Sequence, residues 1–424
     1  MAKFYKFDSG LTLLYETNKI NKSTDIDISF NCGARCDGAL PGLSHFCEHM
    51  FFSGTDKLSK EQVMKRYFDF IKTNAYTSFD NVLFTGSIIT SKLRDYLSVV
   101  QDMICNSTFT KQAVEDEKEI VIQEIACEVD KHFVHASRLI RYTLYNLEYF
   151  KHGILGSKES VNKITSKDVK NYVKKYFVKN NCVISICTPL SFNKTKQIVK
   201  KYFNDIMPSN NLKPLPYLKD KLTMQDSVEV FTKEIDKNFF AISFMLPRKG
   251  PDLRYRVQLG VICNMIDDIT DGLTKILRVD NNLIYYMDAD YDINFENSYI
   301  YIITEVGKEN IKPCLDVIST YIKNLLKDGF TKQQFEKELY KNEYYNQTKV
   351  VSPHEIKSNL ERYRHYGRFV SDKEIDRLVQ TFALDEINQT MREIFNSAKI
   401  QVFSYGNATK KDVYTIKQIQ KKFN

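Results

Sequence analysis

The sequence predicts an α+β protein made of two homologous domains, each a mostly antiparallel sheet with helices packed on one face, and three observations lead there. Its 424 residues exceed what one ordinary core organises and suggest two domains of about 200 residues each. Phe109-Thr110-Lys111-Gln112 recurs as Phe330-Thr331-Lys332-Gln333, and each copy follows an apolar helix and an Ile-Ile-Thr strand end, Ile88-Ile89-Thr90 or Ile302-Ile303-Thr304. Between the copies, Pro208-Ser209-Asn210-Asn211 through Pro214 and Pro216 reads as a linker. The expected division is therefore a first domain over 1–207, a linker over 208–222 and a second domain over 223–424.

Residues 3–16 alternate apolar and polar around Ser9-Gly10, which predicts a hairpin, and the alternation over 24–31 predicts a half-buried strand. Gly33, Gly38, Pro41 and Gly42 form a loop that delivers a short helix containing His45 to His49. Ser59-Lys60-Glu61-Gln62 is a capping box opening a helix to about residue 71. A strand is expected from Ala75 to about Thr90, then helices over 91–106 and 110–131. Residues 135–178 are helical with interruptions, Cys182 to Cys187 is a buried strand, and a helix over 191–204 completes the first half. In the second half the closing strand recurs at 400–405.

The chemistry begins in Leu43-Ser44-His45-Phe46-Cys47-Glu48-His49-Met50. On a helix, residues four apart share a face, so His45 and His49 can present nitrogens to one ion with Glu48 beside them. The order His-x-x-Glu-His is that of the inverted zinc peptidases. A catalytic zinc takes three protein ligands and keeps an open position. The helix around Glu117-Lys118-Glu119-Ile120-Val121-Ile122-Gln123-Glu124 carries Glu117, Glu119, Glu124 and Glu128, of which Glu124 is the natural third ligand.

These stretches, together with Asn74-Ala75-Tyr76-Thr77-Ser78, Asn106-Ser107-Thr108-Phe109, and Arg278 with Tyr285, resemble the pitrilysin/insulinase family of metallopeptidases, which includes the mitochondrial processing peptidase. The resemblance implies one zinc per chain on His45, His49 and Glu124, Glu48 as catalytic base, Glu117 as a supporting acid, and a strand from Asn74, Ala75, Tyr76 and Thr77 whose edge binds an extended substrate. It also implies that Arg278 and Tyr285 stabilise the oxyanion or grip the substrate. In the long members that pair belongs to a second half-molecule facing the zinc across a chamber, so a dimer is expected here, with itself or with a homologous chain. One departure is the spacing, since 74 residues separate His49 from Glu124 where the family usually has two more. Lys72-Thr73 also stand where the family has Gly-Gly.

Composition excludes other classes. A 43% hydrophobic and 27% charged chain is an ordinary globular one. The net charge of +8 comes from lysines interleaved with acids, without a nucleic-acid motif. Nine cysteines at irregular spacings suggest neither a disulfide framework nor a second metal site. The start Met1-Ala2-Lys3-Phe4-Tyr5-Lys6-Phe7 has no apolar signal core or Arg-rich presequence, and a cytoplasmic, non-membrane protein is expected. The leading function is a zinc endopeptidase acting on oligopeptides or unfolded segments. Its competitor is a non-catalytic partner subunit of the same fold.

Overall fold

The hairpin expected at the start is β1 (Lys3–Lys6) and β2 (Thr12–Thr17), antiparallel with Lys3 opposite Tyr15. The computed structural model describes residues 3–18, 22–128, 132–212, 224–247, 252–293, 298–348, 362–363, 365–368, 370–396 and 399–423. Residues 213–222 of the expected linker lie outside them. The first sheet continues with β3 (Ser23–Phe30), β4 (Lys72–Thr77), β5 (Val82–Ile89) and β6 (Cys182–Thr188), in the order β1-β2-β6-β3-β5-β4. Only the β2–β6 pairing in it is parallel.

Two expectations about these strands change. The single strand expected from Ala75 to about Thr90 is two, because Ser78–Asn81 turns the chain. Ser78 Oγ accepts from the N–H groups of Asp80 and Asn81, and Asp80 pairs with Arg35 at 2.9 Å. Side-chain capping of this kind by Ser, Asp and Asn outweighs a continuous apolar pattern. The strand expected to be half-buried, β3, is buried along both faces except at Ser23. It is central in the sheet, with Ile26, Ile28 and Phe30 in the main core. On the opposite side of the sheet Leu14, Leu83 and Val183 form a smaller cluster, against which Tyr76 and Tyr363 pack.

Helices α1 (Leu43–Met50), α2 (Lys60–Phe68), α3 (Leu93–Asn106) and α4 (Lys111–Glu128) follow the predicted pattern, α2 opening on its Ser59–Gln62 capping box. The turn from α2 into β4 passes through Ile71, which is 87% exposed and takes a positive φ of 70°. A β-branched residue resists that conformation, and no glycine is available at this turn.

The second sheet repeats the first. Strands β7 (Ser227–Thr232), β8 (Asn238–Met245), β9 (Met287–Ile293), β10 (Ser298–Val306) and β11 (Ile400–Gly406) stand in the order β7-β11-β8-β10-β9, again with one parallel pair, β7–β11. This is the first sheet's order without a counterpart of β1. The helix Lys332–Thr348 starts 221 residues after α4, as the repeat requires. Each sheet has its own apolar core.

By its contacts the chain forms two units, and two stretches cross the linear halves. The first unit takes Met1–Lys131, Glu148–Tyr217 and Val350–Ser371; the second takes His132–Leu147, Leu218–Lys349 and Asp372–Asn424. In the second unit the helix α5 (His132–Tyr145) lies against β8 and β11, where Phe133 meets Phe239 and Thr143 donates to Gln401 at 3.0 Å. No helix among the described residues is long and apolar enough to cross a membrane. None of the nine cysteines is in a disulfide.

Candidate metal centre

Helix α1 has eight residues, too few to persist alone in water, where shorter than about 12 residues is marginal. Packing holds it: Phe46, Cys47 and Met50 are fully buried, and every residue but His49 is buried. Its N-terminus is fixed by Asp37, whose carboxylate accepts from the N–H groups of Gly42 at 2.7 Å and Ser44 at 2.8 Å. Two of the four donors that a helix start leaves unpaired are thereby satisfied. Gly42 itself has a φ of 92°, and a Cβ there would lie 2.3 Å from the carbonyl oxygen of Leu155.

Helix α4 packs against α1 and brings its carboxylates to the histidines. His45 Nε2 and His49 Nε2 lie 3.6 and 3.3 Å from Glu124 Oε2. One ligand atom from each of the three residues falls within 4.8 Å of the others. Donors bonded at about 2.0 to 2.1 Å in a tetrahedral arrangement stand roughly 3.3 Å apart, so this nitrogen and oxygen set fits a zinc-sized ion and leaves a fourth position open. Of the acidic residues on α4, Glu124 is the one in the cluster.

Glu117, two turns earlier, approaches the other side of the same ring. Its Oε1 lies 2.9 Å from His49 Nδ1, and its Oε2 accepts from Lys60 at 2.7 Å. His45 differs, since its Nδ1 is buried with no hydrogen-bond partner among the described residues. Glu48 is 7% exposed, and the hydroxyl of Thr77 donates to its Oε2 at 2.6 Å.

Burial, helped by the neighbouring His49, lowers the pKa of His45 to about 4, so the ring is neutral near pH 7 and able to offer a lone pair. Burial also opposes a charge on His49, but hydrogen bonds to Glu117 and Glu124 prevail and raise it to about 9. A metal ion would have to displace that proton. Burial raises Glu48 to about 7 against the Thr77 hydrogen bond. Glu117 is held below its ordinary value because His49 and Lys60 together outweigh its burial.

Asn74, Ala75, Tyr76 and Thr77 form the end of β4, the outermost strand of the first sheet, so among the described residues one backbone edge of β4 has no strand beside it. Thr77 is buried, Asn74 exposed, and the Asn74 carbonyl accepts from Tyr67 at 2.7 Å. Arg278 and Tyr285 belong to the second unit, where the guanidinium lies over the ring at 5.0 Å and Tyr285 is 80% exposed. Sequence reasoning missed Lys60, the Asp37 cap and the Thr77 bond. Lys60 stands 57 residues from Glu117 with no periodicity to link them.

In the second unit, the residue 221 positions after Glu117 is Glu338, buried and accepting from Asn264 at 2.7 Å; the same displacement from Glu124 reaches Tyr345. The repeat keeps a carboxylate and loses the ligand.

Comparison with known families agrees with this asymmetry. Residues 12–157 match the model of insulinase (peptidase family M16), and residues 163–340 match that of the peptidase M16 inactive domain. The chain belongs to the M16 family. Among M16 relatives, it is 24% identical over 343 residues to the zinc protease YmxG of Bacillus subtilis, covering 79% of this chain and 81% of that one. A zinc protease of Rickettsia felis is 22% identical over 402 residues, 92% of this chain and 94% of the relative. A probable mitochondrial-processing peptidase subunit beta of Arabidopsis thaliana is 26% identical over 206 residues, 47% of this chain and 38% of the relative. The M16 fold is also seen in solved structures. The peptidase M16 inactive domain from Pseudomonas fluorescens has a TM-score of 0.83 at 16% identity, over 96% of this chain and 98% of that one. A protease from Helicobacter pylori has a TM-score of 0.82 at 15% identity, over 96% and 99%.

Proposed function

We propose that this chain is a zinc-dependent endopeptidase that hydrolyses oligopeptides or unfolded segments enclosed in a chamber. The observation that carries the reading is the convergence of His45, His49 and Glu124 with a buried, unligated Glu48 beside them. One zinc per chain, held by those three residues, supplies a Lewis acid that polarises a scissile carbonyl and makes water more acidic. Glu48 accepts the proton of the attacking water and passes it to the leaving amine, for which a pKa raised toward neutrality suits it. Glu117 holds the Nδ1 proton of His49, so that Nε2 faces the ion.

The free edge of β4, with Asn74, Ala75, Tyr76 and Thr77, receives an extended substrate by main-chain pairing. Arg278 and Tyr285 bind the oxyanion or the substrate backbone, contributed to the zinc site of a facing chain in a homodimer or a heterodimer with a homologous chain. A cytoplasmic location is part of the same reading. Support comes from the naming of relatives in Bacillus subtilis and Rickettsia felis as zinc proteases.

The test is zinc content and cleavage of a quenched unstructured peptide mixture by wild type and Glu48→Gln. Stoichiometric zinc in both with turnover only in the wild type establishes the peptidase and its base. Zinc without turnover in either points to a missing partner chain, and absence of zinc would replace the reading by that of a non-catalytic partner subunit.

A further inference from the structure

We propose that Thr77 is a positioning residue for Glu48, fixing one carboxylate oxygen so that the other faces the reacting water; the proposal rests on the peptidase reading above. The Thr77 hydroxyl donates to Glu48 Oε2 at 2.6 Å, and the bond is buried, with the two residues 9% and 7% exposed. No other described donor reaches the Glu48 carboxylate within hydrogen-bond distance. A glutamate side chain has three rotatable bonds, and leaving them unfixed spreads the carboxylate over several positions. Threonine is suited to fixing it, because branching at Cβ leaves its own χ1 few choices.

The backbone holds the threonine as firmly. Thr77 ends β4 and pairs with Val82 of β5, and β4 packs against α1, which carries Glu48. Ser78, the next residue, begins the turn that is locked by its hydroxyl and by the Arg35–Asp80 pair. The strand whose edge would meet the substrate backbone thus also carries the side chain that, among the described residues, grips the base. A bond that merely satisfied a buried carboxylate would protect folding and leave catalysis per folded molecule unchanged. A positioning bond changes kcat.

The test compares Thr77→Val, which keeps the shape and removes the donor, with Thr77→Ser, which keeps the donor, and adds for metal-free protein Glu48→Met, which removes the acceptor, alone and combined with Thr77→Val. In the zinc-loaded enzyme Thr77→Val is expected to lower kcat about tenfold or more with KM and zinc content unchanged, and Thr77→Ser to recover most of the loss. In chelated, metal-free protein the melting-temperature losses of Thr77→Val and Glu48→Met are expected to be non-additive, since the first removes the donor and the second the acceptor of the same bond. A wild-type kcat in Thr77→Val, a change in KM alone, or a serine variant as impaired as the valine one overturns the proposal. So do additive losses in the metal-free cycle. If the wild type cleaves no peptide, the peptidase reading fails instead, and the metal-free cycle still decides whether the Thr77–Glu48 bond exists.

Discussion

Glu117 Oε1 lies 2.9 Å from His49 Nδ1, on the side of the ring opposite the nitrogen that approaches Glu124 at 3.3 Å. One imidazole therefore links two carboxylates of the same helix, two turns apart. Removing such a partner from a ligating histidine typically costs 10- to 100-fold in metal affinity. His45 Nδ1 has no partner among the described residues, so among them the orienting effect falls on His49. Glu117→Gln is expected to weaken zinc binding at least tenfold in a chelator competition, with the fold intact by circular dichroism.

Glu124 and Glu128 are one turn apart on α4, yet only Glu124 stands with both histidines. Glu124→Gln should abolish stoichiometric zinc, whereas Glu128→Gln should retain it. Metal analysis of the two purified variants separates them, and loss of zinc in both would contradict the ligand set.

Two positive-φ residues flanking the site should respond in opposite ways to substitution. At Gly42 an added Cβ would lie 2.3 Å from a backbone carbonyl, so Gly42→Ala should destabilise the first unit by about 2 to 4 kcal/mol. Ile71 already pays the left-handed penalty of roughly 1 to 2 kcal/mol. Because it is 87% exposed, Ile71→Gly loses no core contact and should stabilise by about 0.5 to 1 kcal/mol. Denaturant titration measures both.

Asp268 is buried in the second unit, where Lys337 donates to Oδ1 at 2.6 Å and Lys341 donates to Oδ2. Burial acts against its charge, but these hydrogen bonds and those from Thr270 hold it far below the usual carboxylate range. A depressed folded-state pKa contributes stability that is present above the unfolded value of about 4 and is lost as pH falls below it. Asp268→Asn is expected to cost about 2 kcal/mol at pH 7 and to flatten the decline in stability as pH falls below about 4. A decline as steep as the wild type's would assign acid sensitivity to other groups.

Arg278 stacks on an exposed Tyr285 in the second unit, while the metal ligands belong to the first. If the pair serves the zinc site of a facing chain, Glu48→Gln mixed with Tyr285→Phe should regain activity that neither variant has alone. Subunit exchange without recovery would count against action in trans.

Local pattern sufficed for much of this molecule. The His45–Glu48–His49 helix was legible because a 3.6-residue period places i and i+4 on one face whatever surrounds them, and the capping box of α2 was legible because it satisfies its own backbone donors. The repeat was legible because Phe109 and Phe330 begin matching stretches. Tertiary structure decided which of the α4 carboxylates reaches the histidines, since 74 residues of chain separate His49 from Glu124 and only the packing of α4 on α1 brings them together. It also decided the Lys60–Glu117 and Thr77–Glu48 bonds, the burial of β3 on both faces, and the crossing of His132–Leu147 into the second unit. Each of these depends on contacts between residues distant in the chain, whose geometry no local periodicity encodes.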